Sequence, residues 1–308
     1  MCAWRNLLWD NRYPRRMKMD LEGRVAVVTG AGRGIGRGVA LAMAQAGAKV
    51  AAVARTQSEI EETAELINKA GFAQGFAVDV TDMSGVFRTM EKIEAALGPV
   101  DVLVNNAGQL GRVGPFVDSE PDEWWRVLDV NVRGPMLCTR AVLPGMMARG
   151  RGRIVNIATG VLPYPYLSAY VTSKTALVRF SEILAAETRA RGVYVFAISP
   201  GTTRTAMSEH SLTSEEGRQW IPWFGRIFTE KLDVPMERPV RLVVDLASGR
   251  VDALSGRLLT VFDDLDALLS QATEIERQGL YSLRIHRFDD RMPAALAAVL
   301  RTGERGGS

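Results

Sequence analysis

Short apolar runs alternate with longer amphipathic stretches along the chain from Arg24 onward. VAVVT is followed by a glycine turn and a helical stretch to Ala46, then by KVAAVA, a helix from Ser58 to Ala70, and FAVDV. A helix near Asp82 to Leu97 leads into VDVLVN. The second half repeats the rhythm with GRIVNI, a long helix from about Ala169 to Arg191, VYVFAIS and RLLTVF. Short β-branched apolar runs predict strands covered on both faces, and their alternation with helices predicts parallel βαβ units. The expected fold is therefore α/β, a single doubly wound parallel sheet of about seven strands with helices on both faces.

The rhythm lapses between Ala206 and Arg238, where Trp220, Trp223, Phe224 and Phe228 lie among polar residues. A long connection inside a compact α/β domain is usually functional, so this segment is read as a substrate lid, with an aromatic-stapled surface excursion as the alternative. Residues 21–262 form the expected domain, and 263–308 a C-terminal helix, built on LDALLSQATEIERQ, with a tail. Asp263, Asp264 and Asp266 are expected to cap that helix. Residues 1–20 read as a leader outside the fold, disordered or preceding a true start at Met17 or Met19. The alternative there is a contact of Trp4, Leu7, Leu8 and Trp9 with a partner or a membrane surface.

Composition narrows the function classes. The chain has 308 residues, 47% of them apolar, and 38 basic against 35 acidic side chains, a balance that gives no reason to expect nucleic acid or an anionic membrane as partner. Cys2 and Cys138 support no disulfide framework and suit a reducing, cytoplasmic setting. His210 and His286 stand apart from any acid/base or metal-like cluster, which argues against zinc sites and serine-histidine hydrolysis; no metal is expected. Both read as surface residues, and Met136, Met146 and Met147 as core or interface packing.

The turn VAVVTGAGRGIGRG carries the first chemistry. A strand, a glycine-crowded turn and a helix start expose backbone amides and a helix dipole that favour a phosphate. The general G-x-G-x-x-G fingerprint fails in every register, whereas T-G-x-x-x-G-x-G fits through Thr29, Gly30, Gly34 and Gly36, with Arg33 and Ile35 inside the turn. Where a carboxylate would hold the adenosine ribose, the second strand ends in Val53, Ala54 and Arg55, with no acid before Glu59. Arg55 and Arg33 together suit a 2′-phosphate, favouring NADP over NAD.

Six motifs now agree in order: TGAGRGIG, Asp79 in VDV, NNAG at Asn105 to Gly108, Asn131 in LDVNVRG, YVTSK at Tyr170 to Lys174, and SPGTTRT at Ser199 to Thr205. Together they resemble the short-chain dehydrogenase/reductases, over about Leu21 to Val261. The resemblance implies a Rossmann-type fold and interconversion of a ketone and a secondary alcohol. It implies that Asp79 and Val80 border the adenine, and that Asn106, Ala107 and Gly108 back the cofactor. Pro200, Gly201 and Thr203 would meet the nicotinamide and Thr205 a phosphate. Tyr170 would be the acid/base and Lys174 its activator, also gripping the nicotinamide ribose, while Asn131 shapes its helix and holds a water. A homodimer or homotetramer is implied in the same way.

One motif departs from the pattern. Relatives usually carry a serine in a phrase like N-I-S-S, whereas NIATG puts Thr159 eleven residues before Tyr170, two fewer than expected. A threonine hydroxyl can still stabilise developing negative charge, although its methyl stiffens χ1. Ser168 is the other candidate hydroxyl, with helix capping its simpler role. The expected substrate is an apolar or ring-bearing carbonyl or alcohol, since the lid offers few anion hooks beyond Arg218 and Arg226. Two alternatives stay open: a catalytically weakened NADPH sensor or scaffold, and a lipid-surface protein anchored by the leader.

Overall fold

The computed structural model describes residues 20–284, so the leader residues up to 19 and the tail with His286 lie outside the described residues. Seven parallel strands form one sheet in the order β3-β2-β1-β4-β5-β6-β7. These are β1 (Val25–Thr29), β2 (Lys49–Ala54), β3 (Phe72–Ala77), β4 (Val100–Asn105), β5 (Gly152–Ile157), β6 (Val193–Ser199) and β7 (Leu258–Thr260). The chain order reverses between β1 and β4, and in such sheets ligands bind in the crevice beyond the carboxyl ends of the strands there.

Successive strand side chains point to opposite faces, so the uninterrupted apolar runs feed two cores. Ala26 and Val28 of β1 join a cluster with Met43 of α1 (Gly34–Gln45) and Leu246 of α10 (Glu237–Ser248). Val25 and Val27 join the opposite cluster, with Ile93 of α3 (Met83–Leu97), Val142 of α5 (Gly134–Ala148) and Leu184 of α6 (Ser168–Thr188).

Several boundaries differ from the sequence reading. The third strand is FAQGFA rather than FAVDV, which leaves Asp79 and Val80 in the loop beyond it. Its Gln74 and Gly75 hide the strand pattern, but Gly75 faces Ile60 of α2 (Gln57–Ile67), where an added β-carbon would come within 3.2 Å of the isoleucine side chain. The long helix stops at Thr188 and tightens into a 3₁₀ turn, Arg189–Arg191. Segment 206–238 contains three short helices, α7 (Ala206–Thr213), α8 (Glu215–Trp220) and α9 (Pro222–Thr229), followed by the start of α10. The C-terminal helix is two pieces, α11 (Leu265–Ser270) and α12 (Ala272–Gln278). Asp264 caps α11 by accepting from the Asp266 and Ala267 amides, whereas Asp263 accepts from the Thr260 amide and Asp266 pairs with Arg250.

Candidate active site

At the switch point the glycine turn and NNAG are knitted together. Thr29 Oγ1 accepts from the backbone amides of Asn106 and Ala107 at 3.0 and 3.1 Å, and donates to the Val104 carbonyl. Asn106 Nδ2 donates back to the Thr29 and Gly30 carbonyls at 3.0 and 3.2 Å. Gly30 has φ +64°, and a β-carbon on Gly36 would lie 2.2 Å from the Gly30 carbonyl, so neither position tolerates a side chain without movement. At the start of α1, Arg33 supplies no side-chain cap and the first turn carries no acid. The first-turn amides are therefore left to a ligand, and negative charge is favoured there.

A groove of about 1120 Å³ runs from this turn across the sheet. Of the residues singled out in the sequence, Gly30, Arg33, Gly34, Ile35, Arg55, Asp79, Val80, Asn106, Ala107, Gly108, Tyr170, Lys174, Pro200 and Thr205 line it. Gly36, Asn131, Thr159, Gly201 and Thr203 are not among the lining residues. A β-carbon on Gly201 would meet Val234 at 2.6 Å, and the buried Thr203 hydroxyl has no hydrogen-bond partner. Thr205 caps α7 through a reciprocal bond with Ser208.

Opposite charges meet at the glycine-turn end of the groove. Arg55 Nη1 lies 3.9 Å from Asp79 Oδ2, and Arg33 Nη1 lies 4.0 Å from Glu59 Oε1, with both arginine side chains 70% exposed. Burial works against the Asp79 charge, but bonds from the Thr81 amide and hydroxyl, with Arg55 and Arg126 nearby, hold its carboxyl below the ordinary range.

At the other end α6 presents Tyr170 and Lys174 one turn apart. Lys174 Nζ donates to the Ile157 carbonyl at 2.7 Å and sits 5.8 Å from the centre of the Tyr170 ring. Burial pulls the ammonium down to about 8 and pushes the phenol up to about 12, the latter partly offset by the nearby Thr159 hydroxyl. The shortened segment thus still brings Thr159 to Tyr170. Ser168 does not: its hydroxyl accepts from Trp124 Nε1 at 3.1 Å and caps no helix, so the expectation of a capping role is corrected.

Asn131 lies fully buried in a π-helical segment, Asp129–Arg133, between α4 (Pro121–Leu128) and α5. Its amide closes on Gln109, accepting from that backbone N–H and donating to its carbonyl, both at 2.8 Å, and donates to Ser173 Oγ beside Lys174. A β-carbon on Gly108 would lie 3.4 Å from both Asn131 Oδ1 and Lys174 Nζ, so these two atoms flank that glycine.

Aromatic pairs join segment 206–238 to the loop after β5. Tyr164 stacks on Trp223 with centroids 5.2 Å apart, and Tyr166 packs on Trp220 at 4.9 Å. Buried Val113, Leu167 and Ile221 lie beneath, with Leu110 against them. Tyr166 has φ +67°, a conformation uncommon outside glycine, and its carbonyl is held by the Gly114 amide. Arg218 donates to the Thr213 carbonyl and Arg226 pairs with Glu230, both on exposed surface.

The sequence reading missed Glu59, Gln109, Ile157, Met207 and His210 as groove residues. His210 is exposed, as expected, yet it stands on the groove wall; its spacing of one turn from Ala206 and Met207 is the signal that marks one face of α7.

The family model for short chain dehydrogenases matches residues 24–216. A short chain dehydrogenase of Pseudocercospora fijiensis is 38% identical over 282 residues, covering 86% of this chain and 88% of its own. The 3-oxoacyl-[acyl-carrier-protein] reductase FabG of Escherichia coli is 34% identical over 192 residues, covering 62% of this chain and 78% of its own. Among solved structures, a Beutenbergia cavernae protein assigned as an NAD(P) dependent gluconate 5-dehydrogenase, with NADP bound at low occupancy, is 35% identical at a TM-score of 0.71, over 79% of this chain and 96% of its own. An NAD⁺-bound xylitol dehydrogenase aligns at 27% identity and a TM-score of 0.72, over 78% of this chain and 98% of its own. The chain belongs to the short-chain dehydrogenase family, whose members are oxidoreductases acting on CH–OH donors.

Proposed function

We propose that this chain interconverts a ketone and a secondary alcohol with NADP(H), Tyr170 acting as acid/base. The observation that carries the reading is Tyr170 and Lys174 one helical turn apart on the wall of a groove that begins at the glycine turn, with the ammonium held by the Ile157 carbonyl at 2.7 Å and the Thr159 hydroxyl near the phenol. That arrangement favours an enzyme over a sensor or scaffold that has lost its chemistry.

The groove fits a dinucleotide: side-chain-free glycines, uncapped α1 amides and two arginines suit a pyrophosphate and a 2′-phosphate. A nicotinamide, when bound, supplies or accepts the hydride. Tyr170 gives its proton to the substrate oxygen during reduction and recovers it during oxidation. Thr159 donates a hydrogen bond to that oxygen, and Lys174 stabilises the phenolate by its charge. Asn131, beside Gly108, steadies the Gln109 backbone and positions a water near Lys174. Exposed Met136 on α5 and Ile183 on α6 support pairing of two copies through these helices.

Thr159→Ala is expected to lower kcat by roughly 10²-fold with cofactor affinity unchanged, whereas Thr159→Ser keeps most of it. Equal losses in the two variants would refute a hydroxyl role. The aromatic pairs beside segment 206–238 and the diversion of Arg218 and Arg226 support a ring-bearing apolar substrate. The whole reading is tested by following NADPH and NADH oxidation across a carbonyl panel. Cyclic and aryl ketones should turn over best with NADPH; a panel led by small keto acids, or one that prefers NADH, would overturn the substrate or cofactor assignment respectively.

A further inference from the structure

The sequence T-Q-S-E at Thr56 to Glu59 opens α2 with the spacing of a capping box, in which the glutamate at the third helical position turns back onto its own helix start. The structure does otherwise. Thr56 makes no side-chain cap, and Glu59 turns toward the glycine turn. A β-carbon on Gly32 would lie 2.7 Å from Glu59 Oε2 and 2.8 Å from its Cβ, so the glutamate lies flat against that α-carbon. Its backbone is fixed there as well: Thr63 Oγ1 donates to the Glu59 carbonyl at 2.9 Å, and Arg37 Nη2 reaches it at 3.4 Å. Arg37 itself pairs with Glu62, leaving Arg33 as the cation facing Glu59 in the groove.

We infer that Glu59 is a specificity-determining residue that opposes a 2′-phosphate at the adenosine end of the groove and so narrows the preference between the two nicotinamide dinucleotides. The inference rests on the cofactor reading above. A phosphate placed between Arg33 and Arg55, with Asp79 already 3.9 Å from Arg55, also meets the Glu59 carboxylate 4.0 Å from Arg33, and like charges at short range repel. Arg33 must exchange this carboxylate for the phosphate, which offsets part of the gain from the new pair. Glu59 can leave by taking up the capping-box bond that Thr56 and its spacing already allow. A ribose bearing a free 2′-hydroxyl loses nothing by the carboxylate and can donate to it. The same side chain thus weakens one dinucleotide and supports the other.

Equilibrium titration of the full chain and of its Glu59→Gln and Glu59→Asp variants with NADPH and NADH decides the matter, with 2′,5′-ADP and 5′-AMP as fragment probes. Glu59→Gln should raise the NADPH-to-NADH affinity ratio roughly three- to fivefold, the upper part of the range expected for removing one partly exposed charge. The 2′,5′-ADP ratio to 5′-AMP should move by the same factor, and Glu59→Asp, which keeps the charge, should move neither ratio as far. NADH binding to each variant reports that the groove is intact. A ratio unchanged within twofold, with NADH still bound, would overturn the role of Glu59. Preference of the unaltered chain for NADH would instead overturn the NADP(H) assignment, and the variant ratio would still decide the role of Glu59.

Discussion

Tyr170→Phe is expected to lower carbonyl-dependent NADPH oxidation by roughly 10²- to 10⁴-fold, the usual contribution of a positioned general acid. Dinucleotide binding should stay within about twofold, since the ring and its packing are kept and only the hydroxyl is lost. The pH profile sharpens the test. In the chain without bound cofactor, burial pushes the phenol up to about 12, partly offset by the nearby Thr159 hydroxyl. On the proposed mechanism oxidation of an alcohol needs the phenolate, so its rate should rise with pH toward the phenol's value in the working complex. Nearby positive charge lowers that value. Tyr170→Phe should flatten the rise as well as reduce the rate. A variant that kept the same pH dependence at lower rate would place the titrating group elsewhere, with Lys174 the first alternative.

The parallel sheet was legible because β1, β2, β4, β5 and β6 are largely buried on both faces, which selects mostly apolar runs. β3 was misplaced for the converse reason. Among the described residues it is an edge strand paired with β2 alone, and Gly75 answers to the approach of Ile60 rather than to strand propensity. At the site, Tyr170 and Lys174 were legible because one helical turn carries their relationship. Thr159 was legible as a candidate only, since its reach to Tyr170 depends on how residues 160–167 fold under the aromatic pairs. The π-helical segment that buries Asn131 leaves no periodic trace, being one extra residue in a helical turn. Glu59 was invisible because its local spacing points to a capping box while the tertiary contact with Gly32 draws it into the groove.

Lys174→Met is expected to remove activity and to change the pH dependence of stability in a fixed direction. The ammonium is buried and donates to the Ile157 carbonyl; desolvation draws its pKa from 10.5 down to about 8. A lowered value means that the folded chain disfavours the charged form. Between about pH 8 and 10.5 the unfolded lysine holds a proton that the folded one has lost, so stability rises with pH through that window. Below pH 8 both states are protonated and the fold carries the full cost of the buried charge, about 3 kcal/mol. Methionine removes that cost but leaves the Ile157 carbonyl without its donor, which takes back ~1–3 kcal/mol. Near pH 7 the variant should therefore match the native chain or exceed it by about 1–2 kcal/mol, while losing the charge that stabilises the Tyr170 phenolate. By pH 9.5 the native chain should have gained about 2 kcal/mol on the variant, because other titrating groups are common to both and cancel. Denaturant unfolding at pH 7 and 9.5 measures the two gaps. Parallel stabilities at both values would mean that Lys174 is solvated in the folded chain, and the phenolate would then need another source of positive charge.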